Sequence, residues 1–242
     1  FFADIKMDGL ACSLIFENGE FVRAVTRGDS FIGEDVSSNV RTIKNIPFFL
    51  RTEKEFAFFE NGRTEVRGEI VILKDDFDKI NKARKEQGDP EFANPRNLAA
   101  GTIRQLDPLI TASRPLHFRA YDIIRENPEE IKTNKFAYSA LKNLGFSVNE
   151  QAKEIIGIKQ VVDFIEFWSE KRKELPFNTD GLVVKINNRD KFSKLGIVGK
   201  QPRAAIAFKY SPEEATAVVS DIVISIGRTG IATPVAVFAP IQ

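Results

Sequence analysis

The sequence contains very little cysteine and histidine. Its 242 residues include one Cys and one His. A single cysteine excludes an internal disulfide and a cysteine-rich metal site, and it is typical of a reducing cytosol. Cys12 alternates with apolar residues of a hairpin, and His117 opens a strand without a Ser or Cys partner nearby in the sequence. We therefore predict that Cys12 is a core residue and that His117 has no chemical role.

Long apolar runs and glycine-rich nucleotide loops are also lacking. No run approaches the roughly 20 residues that a membrane helix needs, so we predict no membrane association. There is no P-loop and no GxGxxG, so a bound nucleotide would be held without those loops. The net charge of +1 neither favours nor excludes a nucleic-acid partner. Because the chain opens with Phe-Phe and no signal peptide, we expect a piece of a longer cytoplasmic protein.

The order of helix and strand patterns indicates an α+β fold with a largely antiparallel sheet. Helices are predicted to end at Gly88 and Gly145 and to begin at the Asn94-Pro95 pair. A further helix is predicted near 159–173. Strands are predicted at 65–73, at 117–124, in DGLVVKIN and in RAAIAFKY. The hairpin-rich tail is typical of the opening strands of a separate β domain, too short to close a barrel.

An Asn-Gly pair at 18–19 predicts a β-hairpin with a two-residue type I′ turn between LACSLIFE and EFVRAVTRG. In that register, paired residue numbers sum to 37. Gly28 then lies opposite Gly9, and Arg27 lies opposite Leu10. The hairpin is therefore predicted to bring TRGD close to KMDG.

Ionisable residues interrupt several apolar patterns. Lys6, Glu69, Lys185 and Lys209 lie within predicted strands, and Arg172 continues an apolar helical stripe. Taken singly, such a residue is more often snorkelling or paired than functional. Taken together, several cations with one acid would leave a strongly positive site. An anionic ligand would balance that charge, and a nucleotide phosphate is the obvious candidate.

The chain resembles the bacterial NAD-dependent DNA ligases in several motifs along essentially its whole length. These are KMDG, TRGD, GEDV, ANPRNLAAGTIRQLDP, LPFNTDGLVVK, AFKY and GRTG. The resemblance implies a nucleotidyltransferase (ATP-grasp-like) core of antiparallel sheets flanked by helices over residues 1–214. It also implies the first strands of a truncated OB fold over 215–242.

The resemblance makes Lys6 the nucleophile. It would attack the α-phosphate of NAD, release nicotinamide mononucleotide and hold AMP as a phosphoramidate. AMP would then pass to the 5′-phosphate of nicked double-stranded DNA, and the 3′-OH would seal the nick. The attacking amine must be neutral, so its pKa has to fall. We expect neighbouring Lys185, Lys209 and Arg172 to lower it and to bind the phosphate.

The resemblance also implies roles around the lysine. Tyr121 would stack on adenine, Asp4 would contact the adenine edge, and Asp8 would support the lysine loop. Arg27 and Glu69 would contact ribose and nucleotide. Glu69 would also help to hold a hydrated Mg²⁺, the second cofactor beside NAD.

The implied DNA contacts are arginines. Arg96 and Arg104, on the NPRNLAAGTIRQ helix, would engage DNA phosphate and the nick, and Arg228 would belong to the OB-fold contact. Alone, either helix arginine is more often a surface charge.

Three positions depart from the family pattern. Asp4 stands where Glu is usual, so we expect the adenine contact to be shorter or lost. Ser30 replaces a glycine after TRGD, with little expected effect. Ala204 replaces a common aromatic residue, which should loosen packing near Lys209.

Two alternatives stay open. An ATP-dependent polynucleotide ligase or RNA-capping enzyme shares KxDG and the strand lysines, although the NPRNLAAGTIRQLD segment argues against it. A non-catalytic nucleic-acid-binding module with the same fold is the alternative of another class. On the favoured hypothesis we expect a monomer. We also expect that these 242 residues alone neither complete self-adenylation nor seal nicks, because the family's N-terminal domain is missing from them.

Overall fold

The computed structural model describes residues 1–28, 32–50, 52–199, 201–210 and 216–239. The chain forms two compact units, Phe1–Lys209 and Tyr210–Gln242.

The larger unit alternates strands and helices unevenly along the chain. Its strands are β1 (Phe2–Met7), β2 (Leu10–Glu17), β3 (Glu20–Thr26), β4 (Arg63–Ile72), β5 (Leu116–Arg125), β6 (Lys153–Glu154), β7 (Thr179–Lys185), β8 (Ile197–Val198), β9 (Gln201–Pro202) and β10 (Ala205–Lys209). Its helices are α1 (Ser37–Val40), α2 (Lys74–Glu86), α3 (Pro95–Ile103), α4 (Pro108–Ala112), α5 (Asn134–Asn143), α6 (Gly157–Lys171) and α7 (Arg189–Leu195). Short 3₁₀ segments cover Lys54–Glu60, Pro128–Glu130 and Arg172–Glu174.

Two four-stranded antiparallel sheets organise this unit. Their strand orders are β10-β7-β1-β6 and β3-β2-β4-β5. The second sheet packs its Cys12, Leu14 and Phe16 face into a continuous apolar core with residues of α3 and α5. The predicted α+β fold with antiparallel sheets is confirmed, and so is the buried position of Cys12, which is 2% exposed.

Local capping sets the helix ends as the sequence predicts. The Asn94 side chain accepts a hydrogen bond from the Asn97 backbone N–H, and Pro95 occupies the first turn of α3. Beyond α2 and α5, Gly88 and Gly145 adopt φ values of 78° and 86°. That left-handed backbone costs a glycine little and stops each helix.

The predicted register of the first hairpin is correct only beside its turn. Pairs Glu17–Glu20 and Phe16–Phe21 sum to 37, but the pairs from Ile15–Arg23 onward sum to 38. The extra residue, Val22, forms a β-bulge, and it leaves two consecutive exposed side chains on β3. Arg27 is predicted to lie opposite Leu10, but its backbone N–H donates to the Ala11 oxygen at 3.2 Å, which agrees with the shifted register.

The apolar stripe predicted along α6 is also only partly correct. Val161 and Phe164 are its buried residues, whereas Ile165 and Trp168 are half-buried. The helix ends at Lys171, so Arg172 opens the following 3₁₀ segment and does not lie within the helix.

The smaller unit contains two antiparallel strands, β11 (Val219–Ile226) and β12 (Ala232–Phe238). The predicted boundary between residues 214 and 215 lies outside the described residues. Within the described ranges, no helix has both the length and the apolar composition to cross a membrane.

Candidate active site

One face of the first sheet carries four of the charged residues that the sequence analysis singled out. Alternation along β1 places Asp4 and Lys6 on the same face. Lys6 pairs with Gly181 of β7, which in turn pairs with Lys209 of β10. At the other end, Phe2 pairs with Lys185. The sheet register therefore puts Lys6 beside Lys209, and Asp4 near Lys185.

Gly181 makes the close approach of the strands possible at the Lys6 end. A Cβ atom built there would lie 2.0 Å from the Phe208 backbone oxygen, far inside any real contact. Since Gly181 is the residue between the two lysines in the register, its missing side chain leaves the space between them open.

The Lys6 ammonium contacts an acid. Its Nζ lies 2.8 Å from Asp180 Oδ1 and 3.0 Å from Oδ2. Lys209 Nζ lies 3.6 Å from the same carboxylate. The sequence predicts cations around Lys6, but its contact partner in the structure is the carboxylate of Asp180. This carboxylate lies between the Lys6 and Lys209 ammonium groups and contacts both. Sequence reasoning missed Asp180 as a site residue because an Asp-Gly pair is an ordinary turn signal.

Glu69 lies close to this cluster from the second sheet. Its side chain lies beside Gly9, where a Cβ atom would lie 2.9 Å from Glu69 Cγ. Burial raises the pKa of Glu69 to about 7, although the charges of Lys6 and Arg96 act in the opposite direction. A Cβ on Gly9 would lie 2.3 Å from the Ile70 oxygen, so the glycine lets β4 approach this closely.

The two predicted DNA-contacting arginines of the α3 segment pair with acids. Arg96 Nη1 donates to Asp8 Oδ1 at 2.7 Å, and Arg104 Nε donates to Glu34 Oε2 at 2.6 Å. Both arginine side chains are about half exposed, at 54% and 46%. Arg104 is the C-cap residue just after α3. Arg228 lies in the exposed turn between β11 and β12 of the smaller unit.

Tyr121 lies near Glu69 on the second sheet. Burial raises its pKa to about 12, with a further contribution from Glu69 and opposing ones from Arg67 and Arg27. The hydroxyl is therefore neutral at physiological pH, and Arg27 lies within electrostatic range of it. Arg172 is half-buried in its 3₁₀ segment, and its contact with a nucleotide stays a prediction.

The Asp4 end of the face is buried. Asp4 accepts hydrogen bonds from the Tyr138 hydroxyl, from Asn149 Nδ2 at 2.9 Å and from the Ile5 backbone N–H at 2.7 Å. Burial raises its pKa, and these hydrogen bonds and Lys185 oppose the rise. Burial lowers the pKa of Lys185, for which Asp4 is the neighbouring anion. Sequence reasoning missed Tyr138 and Asn149, which come from separate parts of the chain.

Two of the departures from the family pattern lie elsewhere. Ala204 is buried at 4% exposure, and its carbonyl accepts the Ile186 N–H at 2.9 Å. Its predicted effect on packing near Lys209 stays a prediction. Ser30 lies outside the described residues.

The carboxylates of Asp8, Glu69 and Asp180 are the oxygen donors of this site. Across the described ranges, no group of three or more His, Cys, Asp and Glu residues is arranged to hold a metal ion. Mg²⁺ usually keeps several waters and binds through one or two carboxylates and substrate phosphates. This donor set fits a hydrated Mg²⁺ and does not form an all-protein cage.

A family model described as "NAD-dependent DNA ligase adenylation domain" matches residues 1–213. The chain is 44% identical over 242 residues to a protein named DNA ligase from Halothermothrix orenii, covering 100% of this chain and 35% of that protein. It is 45% identical over 238 residues to the DNA ligase of Shouchella clausii, with 98% and 34% covered. The chain thus spans about a third of the length of these relatives.

A solved structure described as "Pmar-Lig_Pre." covers 100% of this chain and 52% of its own, with a TM-score of 0.50 and 12% identity. At that identity the likeness concerns the fold alone.

Proposed function

The chain belongs to the family of NAD-dependent DNA ligase adenylation domains, and on that premise we propose that it carries the lysine-adenylation step of nick sealing. Lys6 Nζ attacks the α-phosphorus of NAD. A phosphorus–nitrogen bond forms, the bond to the bridging oxygen breaks, and nicotinamide mononucleotide leaves. The observation that carries this proposal is the position of Lys6, paired with Asp180 beside Lys209 and within electrostatic range of Glu69.

Proton removal precedes the attack, because an ammonium has no free lone pair. Asp180 is the acceptor at hand, since both of its oxygens lie within 3.0 Å of Nζ. Lys209 contacts the same carboxylate, so it can hold Asp180 once Lys6 turns towards the phosphate. In this scheme Asp180 keeps Lys6 in the site before the reaction and takes its proton as the reaction begins.

Lys209, Lys185 and Arg172 are proposed to meet the phosphate charge. The Lys209 side chain is 68% exposed, so its ammonium can contact a phosphate that binds beside Asp180. Lys185 lies further along the same sheet face, and Arg172 is the third predicted contact. Charge that develops on the phosphate oxygens is stabilised by such preplaced cations.

We assign binding of the nucleoside to side chains of the two sheets. Tyr121 stacks on adenine, Asp4 faces the base edge, and Arg27 and Glu69 contact the ribose and nucleotide. The neutral Tyr121 hydroxyl beside Glu69 supports this arrangement, because both side chains belong to neighbouring strands of the second sheet. Asp8 holds the loop after Lys6 through its backbone N–H, which donates to the Asn178 oxygen.

Mg²⁺ is proposed as the second cofactor, held through water near Glu69. When bound, it would neutralise phosphate charge.

Transfer of AMP to the 5′-phosphate of nicked DNA is proposed for the complete protein. Arg96, Arg104 and Arg228 are the proposed DNA contacts. The ion pairs of Arg96 and Arg104 are half exposed, and exposed pairs contribute only about 0–1 kcal/mol, so a DNA phosphate can replace their carboxylate partners at small cost.

We assign residues 1–214 to the adenylation domain and residues 215–242 to the beginning of an OB-fold domain. The complete protein is proposed to act as a monomer in the cytoplasm, with nicked double-stranded DNA as its macromolecular partner.

The test is the intact mass of the complete protein after incubation with Mg²⁺ and either NAD or ATP, followed by peptide mapping. We expect an AMP adduct from NAD, located on Lys6. An adduct from ATP alone would move the protein to the ATP-dependent ligases or capping enzymes. No adduct from either nucleotide, with retained binding to nicked DNA, would favour a non-catalytic nucleic-acid-binding module.

A further inference from the structure

The pairing of β1 with β7 is interrupted directly beside the nucleophilic lysine. Lys6 pairs with Gly181, but the next residue of β1, Met7, pairs with Thr179. Asp180 is therefore an extra residue on β7, and the shift of register at this point is a β-bulge. A bulge leaves the extra residue outside the ladder and changes the direction of its side chain.

This bulge decides which face of the first sheet carries the Asp180 carboxylate. In an uninterrupted strand the side chains alternate, so Asp180 would share a face with the buried Leu182. In the structure, the Asp180 carboxylate instead contacts the ammonium groups of Lys6 and Lys209. Both lysines pair with Gly181, so they lie on the face opposite Leu182. The extra residue thus turns the carboxylate from the apolar face to the face of the two lysines.

The Thr179 hydroxyl joins the two strands at the bulge. Its Oγ1 lies 2.6 Å from the Lys6 backbone oxygen on β1 and 2.9 Å from the Gly181 oxygen on β7. The Gly181 N–H donates to the same Oγ1 at 3.4 Å. A hydroxyl has one hydrogen, so it donates to one carbonyl at a time while it accepts from the N–H. The hydroxyl therefore gives partners to backbone groups at the place where the ladder is interrupted.

We propose that Thr179 is a positioning residue, whose hydroxyl holds the β-bulge that turns the Asp180 carboxylate towards Lys6. The inference rests on the proposed function, in which Asp180 accepts the Lys6 proton. Thr179 acts through Asp180, because its hydroxyl contacts backbone atoms of the bulge, whereas the Asp180 carboxylate contacts the Lys6 ammonium.

Loss of the hydroxyl should slow the chemical step more than it weakens NAD binding. Without that hydroxyl, the Lys6 oxygen loses its bond across the bulge, and the Asp180 carboxylate is no longer held on the lysine face. A general base has to lie within hydrogen-bond reach of the proton that it takes, so a small displacement slows the reaction. The contacts proposed for NAD come from other side chains, and we expect them to persist.

The test measures single-turnover formation of lysyl-AMP by the complete protein over a range of NAD concentrations. Thr179→Val keeps the shape of the side chain and removes the hydroxyl. We expect it to lower the rate at saturating NAD about 10-fold, with little change in the NAD concentration that gives half of that rate. Thr179→Ser keeps a hydroxyl and should react within about 2-fold of the wild-type rate.

A second background separates positioning of Asp180 from a general structural role. In Asp180→Asn, the added change Thr179→Val should slow the reaction no further, because the carboxylate that Thr179 positions is already absent. Equal slowing by Thr179→Val in both backgrounds would overturn the proposal. Thr179→Ala also removes the hydroxyl, and it is measured in the same way if Thr179→Val fails to fold.

Thr42→Val is the matched control. Thr42 Oγ1 donates to the Asn39 oxygen at 2.7 Å, so this variant also loses a short bond from a threonine hydroxyl to a backbone carbonyl. Thr42 follows α1, away from the bulge, and we expect the variant to react at the wild-type rate. A loss of rate in Thr42→Val as large as that in Thr179→Val would overturn the proposal.

The wild-type result separates this inference from the function on which it rests. If the wild type forms lysyl-AMP and Thr179→Val forms it at the same rate, the inference is wrong, while the proposed function stands. Reaction of Asp180→Asn at the wild-type rate would overturn the inference as well. If the wild type forms no adduct from NAD, the proposed function fails and the inference falls with it.

Discussion

The two ends of the charged face on β1 differ in how their ionisable side chains are satisfied. At one end, Lys6 and Asp180 form an ion pair whose side chains are 29% and 28% exposed, with the more exposed Lys209 beside it. At the other end, Asp4 is 4% exposed and accepts hydrogen bonds from Tyr138 of α5 and from Asn149 in a loop. The first end can exchange partners, whereas the second is fixed.

This contrast is expected where a covalent step at the Lys6 end takes place beside ligand binding at the Asp4 end. A nucleophile has to lose its proton, release its partner and move, so its contacts must be weak enough to break. A group that recognises a ligand gains from being held in place before the ligand arrives. Substitutions at the Lys6 end should therefore change the chemical step with little loss of stability. Substitutions at the Asp4 end should lower stability and change the chemical step less.

The largest expected effect is that of Lys6→Ala. We expect no lysyl-AMP at all, since no other amine occupies that position, while the free energy of unfolding changes by about 0.5 kcal/mol or less because the side chain is partly exposed. Intact mass and urea denaturation measure the two quantities. An adduct that persists on another lysine would contradict the assignment of the nucleophile.

Asp4→Ala should lower the free energy of unfolding far more than Lys6→Ala does. It leaves the Asn149 amide and the Tyr138 hydroxyl without their acceptor and leaves Lys185 without its neighbouring anion. Breaking a buried charged network in this way should cost about 3 kcal/mol of stability. Urea denaturation of the wild type and the variant gives that difference, and a loss below about 1 kcal/mol would show that this end is not fixed as described.

Asp180→Asn should slow adenylation about 100-fold in kcat, because the amide no longer accepts the Lys6 proton. Stability should change little, since the ion pair is partly exposed. Asp190→Asn is a matched control, as it removes a carboxylate paired with Lys194 on the exposed helix α7. Equal rates for both variants in single-turnover measurements would remove Asp180 from the proposed proton transfer.

Sequence reasoning predicted the strands, the caps and the antiparallel fold because those depend on local patterns. The Asn94 cap and the glycine stops are examples, since their physical cause lies within a few residues. It could not predict the bulge at Val22, which shifts the register without any distinctive residue. Nor could it predict the partner of Lys6, because Asp180 is 174 positions away and meets it only through sheet pairing.

The smallest expected effect concerns pH and two acids of β4, Glu69 and Glu65. The pKa of Glu69 is raised from 4.5 to about 7 by burial. Its contribution to stability is therefore complete below pH 4.5 and is lost as pH rises through about 7. Burial acts to raise the pKa of Glu65, but hydrogen bonds from Arg67 and Ser13 and the charges of Arg67 and Arg63 outweigh it, so the pKa is lowered. Its contribution is present above pH 4.5 and is lost as pH falls.

The two glutamine variants should consequently respond to pH in opposite directions. Each pKa unit corresponds to about 1.4 kcal/mol, and solvent screens part of it because Glu69 is only partly buried. The wild type should therefore lose about 2 kcal/mol relative to Glu69→Gln between pH 4.5 and pH 8. Relative to Glu65→Gln, the wild type should instead gain stability as pH rises from acid values. Urea denaturation without nucleotide or Mg²⁺ measures both differences. Parallel curves for the two variants would mean that Glu69 is solvated like an ordinary surface acid, and its burial near Lys6 would then have to be abandoned.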